Sequence, residues 1–305
     1  MSPDPLIHLG YQKTASTFLQ KLVFSNEEVF YAPWGPQSAQ AIDTFVLEHP
    51  RRFTPEKIRS SLIDPDGRVP IISHEDLLGY PAYGRYYAGP TIRRIFESLP
   101  NSRLLICVRE QEAILLSNYF QYIRQGGTRN LHQMLVGAGA RVGFRPMFRL
   151  DHFEYDLTYS LIREHFPKDR IMFLPVELLR SNQERFMTLL SDFMGIDYHW
   201  RINAPKIINR RSSSIALISE RLLNKVFRNP HTLPEKYSDY PFRVRGRNRV
   251  VRTISKITAG RKVDDHYLNK MKTEISFHVK DYFRESNDRL SNITGIDFSD
   301  FGYKL

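Results

Sequence analysis

The stretch Leu6-Ile7-His8-Leu9-Gly10-Tyr11-Gln12-Lys13-Thr14-Ala15-Ser16-Thr17-Phe18-Leu19 decides how the chain is read. Leu6 to Leu9 is a short apolar run of the kind that forms a buried strand, and Gly10 closes it. From Ser16 to Ser25 the apolar residues Phe18, Leu19, Leu22 and Val23 fall on one stripe, which predicts a helix. The turn between them carries one lysine and a set of small or hydroxyl residues. A helix start exposes unpaired N–H groups and a partial positive charge, so it favours phosphate-like anions. Lys13 adds a full charge, Thr14, Ser16 and Thr17 add hydroxyls, and Ala15 leaves room for close approach of the backbone. The plainer alternative is a capped helix beside an exposed lysine.

The loop is not that of the nucleoside triphosphatases, which places four residues between its glycines before Lys-Ser/Thr. Only two residues separate Gly10 from Lys13, and the apolar run 104–108 is followed by Arg109 rather than by an aspartate. A magnesium-dependent kinase loses support on both counts.

Further apolar runs at Val69–Ser73, Arg103–Val108 and Arg170–Leu174 predict three more strands. Helical stripes lie between them. Ile114, Leu115, Tyr119, Tyr122 and Ile123 end at Gly126-Gly127, and Phe186, Leu189, Leu190, Phe193 and Met194 end at Gly195. Residues 33–67 read as short helices and loops. Alternating strands and helices predict an α/β fold, a parallel central sheet flanked by helices, with ligands bound beyond the carboxyl ends of its strands.

Two more strand ends therefore carry weight. Arg109 follows one strand, and Ser117, eight residues on, lies within about two turns of the start of the next helix. Together they offer a planar donor fork and a hydroxyl to one phosphate; the alternative is an ion pair of Arg109 with Glu110 or Glu112. Ser73-His74-Glu75-Asp76 follows another strand. Glu75 or His74 is placed to take a proton from a substrate hydroxyl, the alternative being a helix N-cap at Ser73 with acids in the first turn.

The chain has 305 residues, with 44 Lys+Arg against 33 Asp+Glu, a net charge of +11. Hydrophobic residues make 41% and aromatics 12%, so a disordered chain is excluded. The length fits one domain spanning 1–305, with a less regular basic segment at about 205–265. In that segment a helix is expected from Ile215 to Phe227, and Arg243–Arg252, with five arginines in ten residues, reads as a loop, insertion or arm. A last helix is expected from about Asp264 to Leu290. The single cysteine, Cys107, excludes an internal disulfide and a multi-cysteine metal site, and its apolar neighbours predict a buried thiol. No apolar run approaches the roughly 20 residues of a membrane span, and no basic leader precedes Leu6. A soluble, cytoplasmic protein is the expectation. The positive charge invites anionic partners; nucleic acid is not expected, because Phe242–Arg252 holds a single aromatic.

Gly10 to Gln20 resembles the 5′-phosphosulfate loop of sulfotransferases that use 3′-phosphoadenosine 5′-phosphosulfate (PAPS), and Leu104–Arg109 with Ser117 and Tyr119 is similar to their 3′-phosphate motif. Val176-Glu177-Leu178-Leu179 resembles a later family segment, and the tail from Asn287 to Tyr303 resembles bacterial members. The likeness is sparse over 30–68 and 205–265. It departs from the family at Ala15, where glycine is usual, and at Gln111, where proline is frequent.

The resemblance implies a P-loop NTPase-like sulfotransferase fold and a metal-free transfer from PAPS to a hydroxyl acceptor. The acceptor would be a carbohydrate, a glycolipid or a small metabolite, and the product adenosine 3′,5′-bisphosphate. It implies that Lys13, Thr14, Ala15, Ser16 and Thr17 hold the phosphosulfate and that Arg109 and Ser117 hold the 3′-phosphate. Lys13 would stabilise the bridging oxygen. Glu75, preferred to His74, would accept the proton. Arg243–Arg252 would then face an acidic glycan or lipid. An ATP- and Mg²⁺-dependent kinase and a basic nucleic-acid-binding module are the alternatives.

Overall fold

Four near-continuous apolar runs pair side by side because each can be covered on both faces. β1 (Leu6–Leu9) lies at the centre, β2 (Phe30–Tyr31) at one edge, and β3 (Val69–His74), β4 (Arg103–Val108) and β5 (Ile171–Pro175) complete a five-stranded sheet of order β2-β3-β1-β4-β5. All pairs are parallel, with Leu6 opposite both Ile71 and Arg103, and Leu105 opposite Met172. The structure, a computed structural model, describes residues 3–64, 66–137, 148–198, 200, 213–226 and 247–305.

Strand alternation divides the core into two halves. Ile7, Leu9, Ile72, Leu104, Ile106 and Val108 face one layer, packed with the helices Ala88–Ser98, Gln111–Arg124 and Tyr155–Arg163 and with the C-terminal helices. Leu6, Ile71, Leu105, Cys107 and Leu174 face the other, under Phe18, Leu19 and Val23 and the helix Gln183–Met194. Burial pushes the Cys107 thiol up to about 12, which leaves it an inert core group. Gly195 ends its helix at φ +69°, the left-handed stop the sequence predicts.

Three expectations need correction. The first helix is α-helical only over Ser16–Phe18 and continues as a π-helical turn, Leu19–Val23, closed by a 2.7 Å bond from the Phe24 N–H to the Leu19 carbonyl. The C-terminal helix is two helices, Lys262–Val279 and Arg284–Thr294, separated at Lys280, whose φ is +42°. The arginine-dense stretch is helical where it is described: Arg247–Thr258 is a helix with Arg249 and Arg252 exposed. Residues 243–246 of the expected loop lie outside the described residues. The helix expected from Ile215 spans Ser214–Val226. No helix among the described residues is long and apolar enough to cross a membrane.

Candidate functional site

In the strand order β3-β1-β4 the ends of three neighbouring strands bring together the three segments the sequence singles out. The loop Gly10–Thr17 follows β1, His74 and Glu75 stand at the end of β3, and Arg109 stands at the end of β4.

Gly10 is required by this convergence. A Cβ there would meet the Glu75 Cα at 3.0 Å and Cβ at 3.2 Å, so a larger residue would drive the loop away from β3. The loop then turns through two left-handed residues, Lys13 at φ +71° and Ala15 at φ +62°. Left-handed backbone costs an L-residue about 1–2 kcal/mol. The loop is braced from within: the Thr14 hydroxyl donates to the Tyr11 carbonyl at 2.5 Å, and the buried Gln12 amide donates to the Asp76 carboxylate at 2.6 Å and the Gly79 carbonyl at 2.8 Å. The Thr14 hydroxyl, expected to serve a ligand, is thus committed to the loop. Ser16 starts the helix with its Oγ buried and without a partner. Thr17 is half-buried one residue further on.

Arg109 is held where the sequence places it. Its guanidinium donates to Ser117 Oγ at 2.9 Å and to the Lys13 carbonyl at 3.3 Å, tying β4, its following helix and the loop together. The ion pair with Glu110 or Glu112 does not form among the described residues; the Glu110 carboxylate instead caps the helix, accepting the N–H groups of Glu112 and Ala113, both at 2.7 Å. Arg109 Nε is buried without a partner. Burial pulls the Arg109 guanidinium below its usual range, with Arg180 adding to the effect. Burial likewise lowers the Lys13 amine, followed by the positive charge of Arg124, while Glu75 opposes the shift. Desolvated cations crowded at one spot favour an anion.

Glu75 is positioned by residues that the sequence did not single out. Gln20 donates to its carboxylate at 3.1 Å and Gln37 at 3.3 Å. The Gln20 amide also reaches Ser73 Oγ at 3.2 Å, and that hydroxyl bonds the buried His8 Nδ1 at 2.7 Å. Ser73 is therefore no helix cap; residues 75–78 form a turn. His74 Nδ1 accepts the Asp76 N–H at 3.1 Å. Burial drives His8 down to about 4, so the ring is neutral at pH 7.

Two further groups hold the scaffold. The Tyr155 hydroxyl donates to the Arg109 carbonyl at 2.6 Å. The Glu177 carboxylate accepts the Glu110 N–H at 3.2 Å and the Tyr303 hydroxyl at 3.3 Å, and burial raises its pKa. A signal for Gln20 did exist: an amide next to the apolar stripe of a helix must find a buried partner.

The chain resembles solved sulfotransferase structures. A sulfotransferase from Alicyclobacillus acidocaldarius matches at 13% identity and a TM-score of 0.53, over 99% of this chain and 100% of that one. A sulfotransferase domain from the curacin biosynthetic pathway matches at 12% identity and 0.42, over 83% of this chain and 97% of that one. Mouse sulfotransferase SULT7A1 complexed with PAP matches at 15% and 0.39, over 95% and 89%. No protein-family model and no curated protein matches the chain. The first of these likenesses, together with the parallel sheet and its flanking helices, shows that the chain has the P-loop-like sulfotransferase fold.

Proposed function

We propose that the protein is a PAPS-dependent sulfotransferase acting on a hydroxyl acceptor. One observation carries the reading: two buried polar groups without protein partners, Ser16 Oγ and Arg109 Nε, flank Lys13 on adjoining strand ends. An unsatisfied buried donor costs about 1–3 kcal/mol, and a bound oxyanion offsets that cost. The donor set fits a nucleotide bearing anionic groups at two places: the loop Lys13–Thr17 at one, Arg109 with Ser117 at the other. When bound, PAPS supplies the activated sulfuryl group and leaves as adenosine 3′,5′-bisphosphate.

The rest is the work of this chain. Lys13 places its ammonium where negative charge develops, a contribution of about 3 kcal/mol by analogy with oxyanion donors. Glu75 takes the proton of the acceptor hydroxyl. Its carboxylate is oriented by Gln20 and Gln37 and is an acceptor by nature. His74 suits the base role less well, because its Nδ1 already accepts a backbone N–H and the ring proton then sits on Nε2. The acceptor is read as a carbohydrate, a glycolipid or a small metabolite, the site as metal-free and the protein as cytoplasmic.

Calorimetric titration with adenosine 3′,5′-bisphosphate, set beside ATP with Mg²⁺, tests the assignment. Tight, metal-independent binding of the bisphosphate with much weaker ATP is the expected result. Binding of ATP with Mg²⁺ alone replaces the reading with a kinase; binding of neither returns it to a basic module.

A further inference from the structure

Away from the strand ends, two imidazoles and a carboxylate converge. His132 Nδ1 lies 2.9 Å from His278 Nε2, their ring centroids are 4.9 Å apart, and a Glu274 oxygen joins them so that all three ligand atoms lie within 4.8 Å of one another. The ligands come from two elements, the short helix Leu131–Leu135 and the helix Lys262–Val279. Glu274 and His278 are four residues apart and so share one face of the second helix. None of the three shares a hydrogen bond with Lys13, Glu75 or Arg109.

From this geometry we infer that His132, Glu274 and His278 form a binding site for zinc or a similar borderline divalent ion, with a fourth position open to water. Two histidines and a glutamate are a ligand set suited to tetrahedral zinc, whereas magnesium and calcium prefer oxygen cages. The positions are fixed from below. Leu131, Met134 and Leu135 of one helix and Met271, Ile275 and Val279 of the other are buried in the same core cluster. A capping box between Asn130 and Gln133 also sets the start of the short helix. The ligand atoms are thus presented by anchored backbone rather than by a free loop. In the metal-free protein one ring donates its N–H to the other; when an ion binds, the donor ring passes that proton to water and takes one up on its other nitrogen, so it stays a neutral imidazole and both facing nitrogens offer lone pairs. Zn–N bonds of about 2.0–2.1 Å in a tetrahedron need nitrogens about 3.3–3.4 Å apart, so the rings have to open by about 0.4–0.5 Å and the Glu274 carboxylate has to draw in to a like spacing. The ion would clip together elements some 140 residues apart and so fasten the helix Lys262–Val279 to the layer that holds the helix Gln111–Arg124. The site does not depend on the sulfuryl-transfer reading.

The test uses the full-length chain without an affinity tag, stripped with chelator and titrated with Zn²⁺ alone. One saturable site per chain is expected, with no response to Mg²⁺, a four-coordinate visible spectrum with Co²⁺, and a melting temperature raised by about 5 °C at a hundredfold excess over Kd. His132→Ala and Glu274→Gln should each weaken Zn²⁺ binding tenfold or more, while His49→Ala, an exposed histidine elsewhere, should not. All three are surface or half-buried changes that leave the core intact. The absence of saturable Zn²⁺ binding overturns the proposal. So does wild-type affinity in both His132→Ala and His278→Ala.

Discussion

Two basic regions of the chain treat their charge in opposite ways. At the strand ends, Lys13 and Arg109 stand alone in sequence but are desolvated, and the Arg109 guanidinium is spoken for by a hydroxyl and a carbonyl. In the helix Arg247–Thr258, Arg249 and Arg252 belong to the densest run of arginines in the chain and stand in solvent. Charge density marks the second region, whereas the cost of removing charge from water marks the first. Only the first has an energetic reason to hold a small anion, because exposed charges are screened and contribute little.

The largest break between the two regions is expected in turnover. Glu75→Gln should lower kcat by about 10²–10⁴-fold while leaving adenosine 3′,5′-bisphosphate binding nearly unchanged. Arg252→Gln should leave both within about twofold. Steady-state rates and calorimetry on the same preparations read the difference. Full activity in Glu75→Gln would move the base elsewhere.

Acid should act on the strand-end region first. His8 has a folded pKa of about 4 against 6.5. Above pH 6.5 the ring is neutral in both states and contributes no pH dependence. Between about 6.5 and 4 the unfolded chain takes up a proton that the folded chain refuses, so stability falls as pH falls. The loss is on the order of 3 kcal/mol at 1.36 kcal/mol per unit. His152, buried and also lowered to about 4, adds a similar slope. Urea unfolding at pH 7 and pH 4.5 should show the decline, and His8→Gln should remove about half of it, leaving the share of His152. An unchanged slope in His8→Gln would mean that the buried ring is not the cause.

Much of the candidate site's convergence was legible because its parts are local. Lys13, Ser16 and Arg109 lie at strand ends and a helix start, where backbone geometry itself directs the donors, and Ser117 follows Arg109 by about two turns of the helix Gln111–Arg124. Gln20 shows in sequence only that its amide needs a buried partner, not that the partner is Glu75, 55 residues away, and Gln37, 38 residues from Glu75, was not legible. The fold divides in the same way. β1, β3, β4 and β5 are runs buried on both faces, whereas Phe30–Tyr31 is too short to show any period and exists because it pairs with Val69 and Pro70. The helix expected across Lys280 breaks for a tertiary reason: Lys304 donates to the Lys280 carbonyl at 3.1 Å and to Glu112 at 2.7 Å, fixing a turn that local propensity does not ask for.

Arg109→Ala sharpens the contrast at ligand level. Removing a buried, charge-assisted donor should weaken adenosine 3′,5′-bisphosphate by about 10–100-fold, while inorganic sulfate loses less. Arg249→Ala should do neither. Equal losses for both ligands would remove the assignment of Arg109 to the 3′-phosphate.

The smallest effect compares backbone rather than charge. Ala15 in the loop after β1 and Lys280 in the C-terminal turn both hold positive φ, at +62° and +42°. Glycine at either position relieves about 1–2 kcal/mol of steric strain but frees the unfolded chain by about 0.4–1 kcal/mol. Each substitution should therefore raise stability by about 0–1.6 kcal/mol, a shift of at most a few degrees in melting temperature. The two should then part company in binding. Ala15→Gly sits between Lys13 and Ser16, so a looser loop should cost bisphosphate affinity, whereas Lys280→Gly should cost none. If Ala15→Gly leaves affinity untouched, the left-handed alanine is only tolerated. If affinity falls while the protein melts higher, alanine's stiffness is what keeps the loop shaped for its anion.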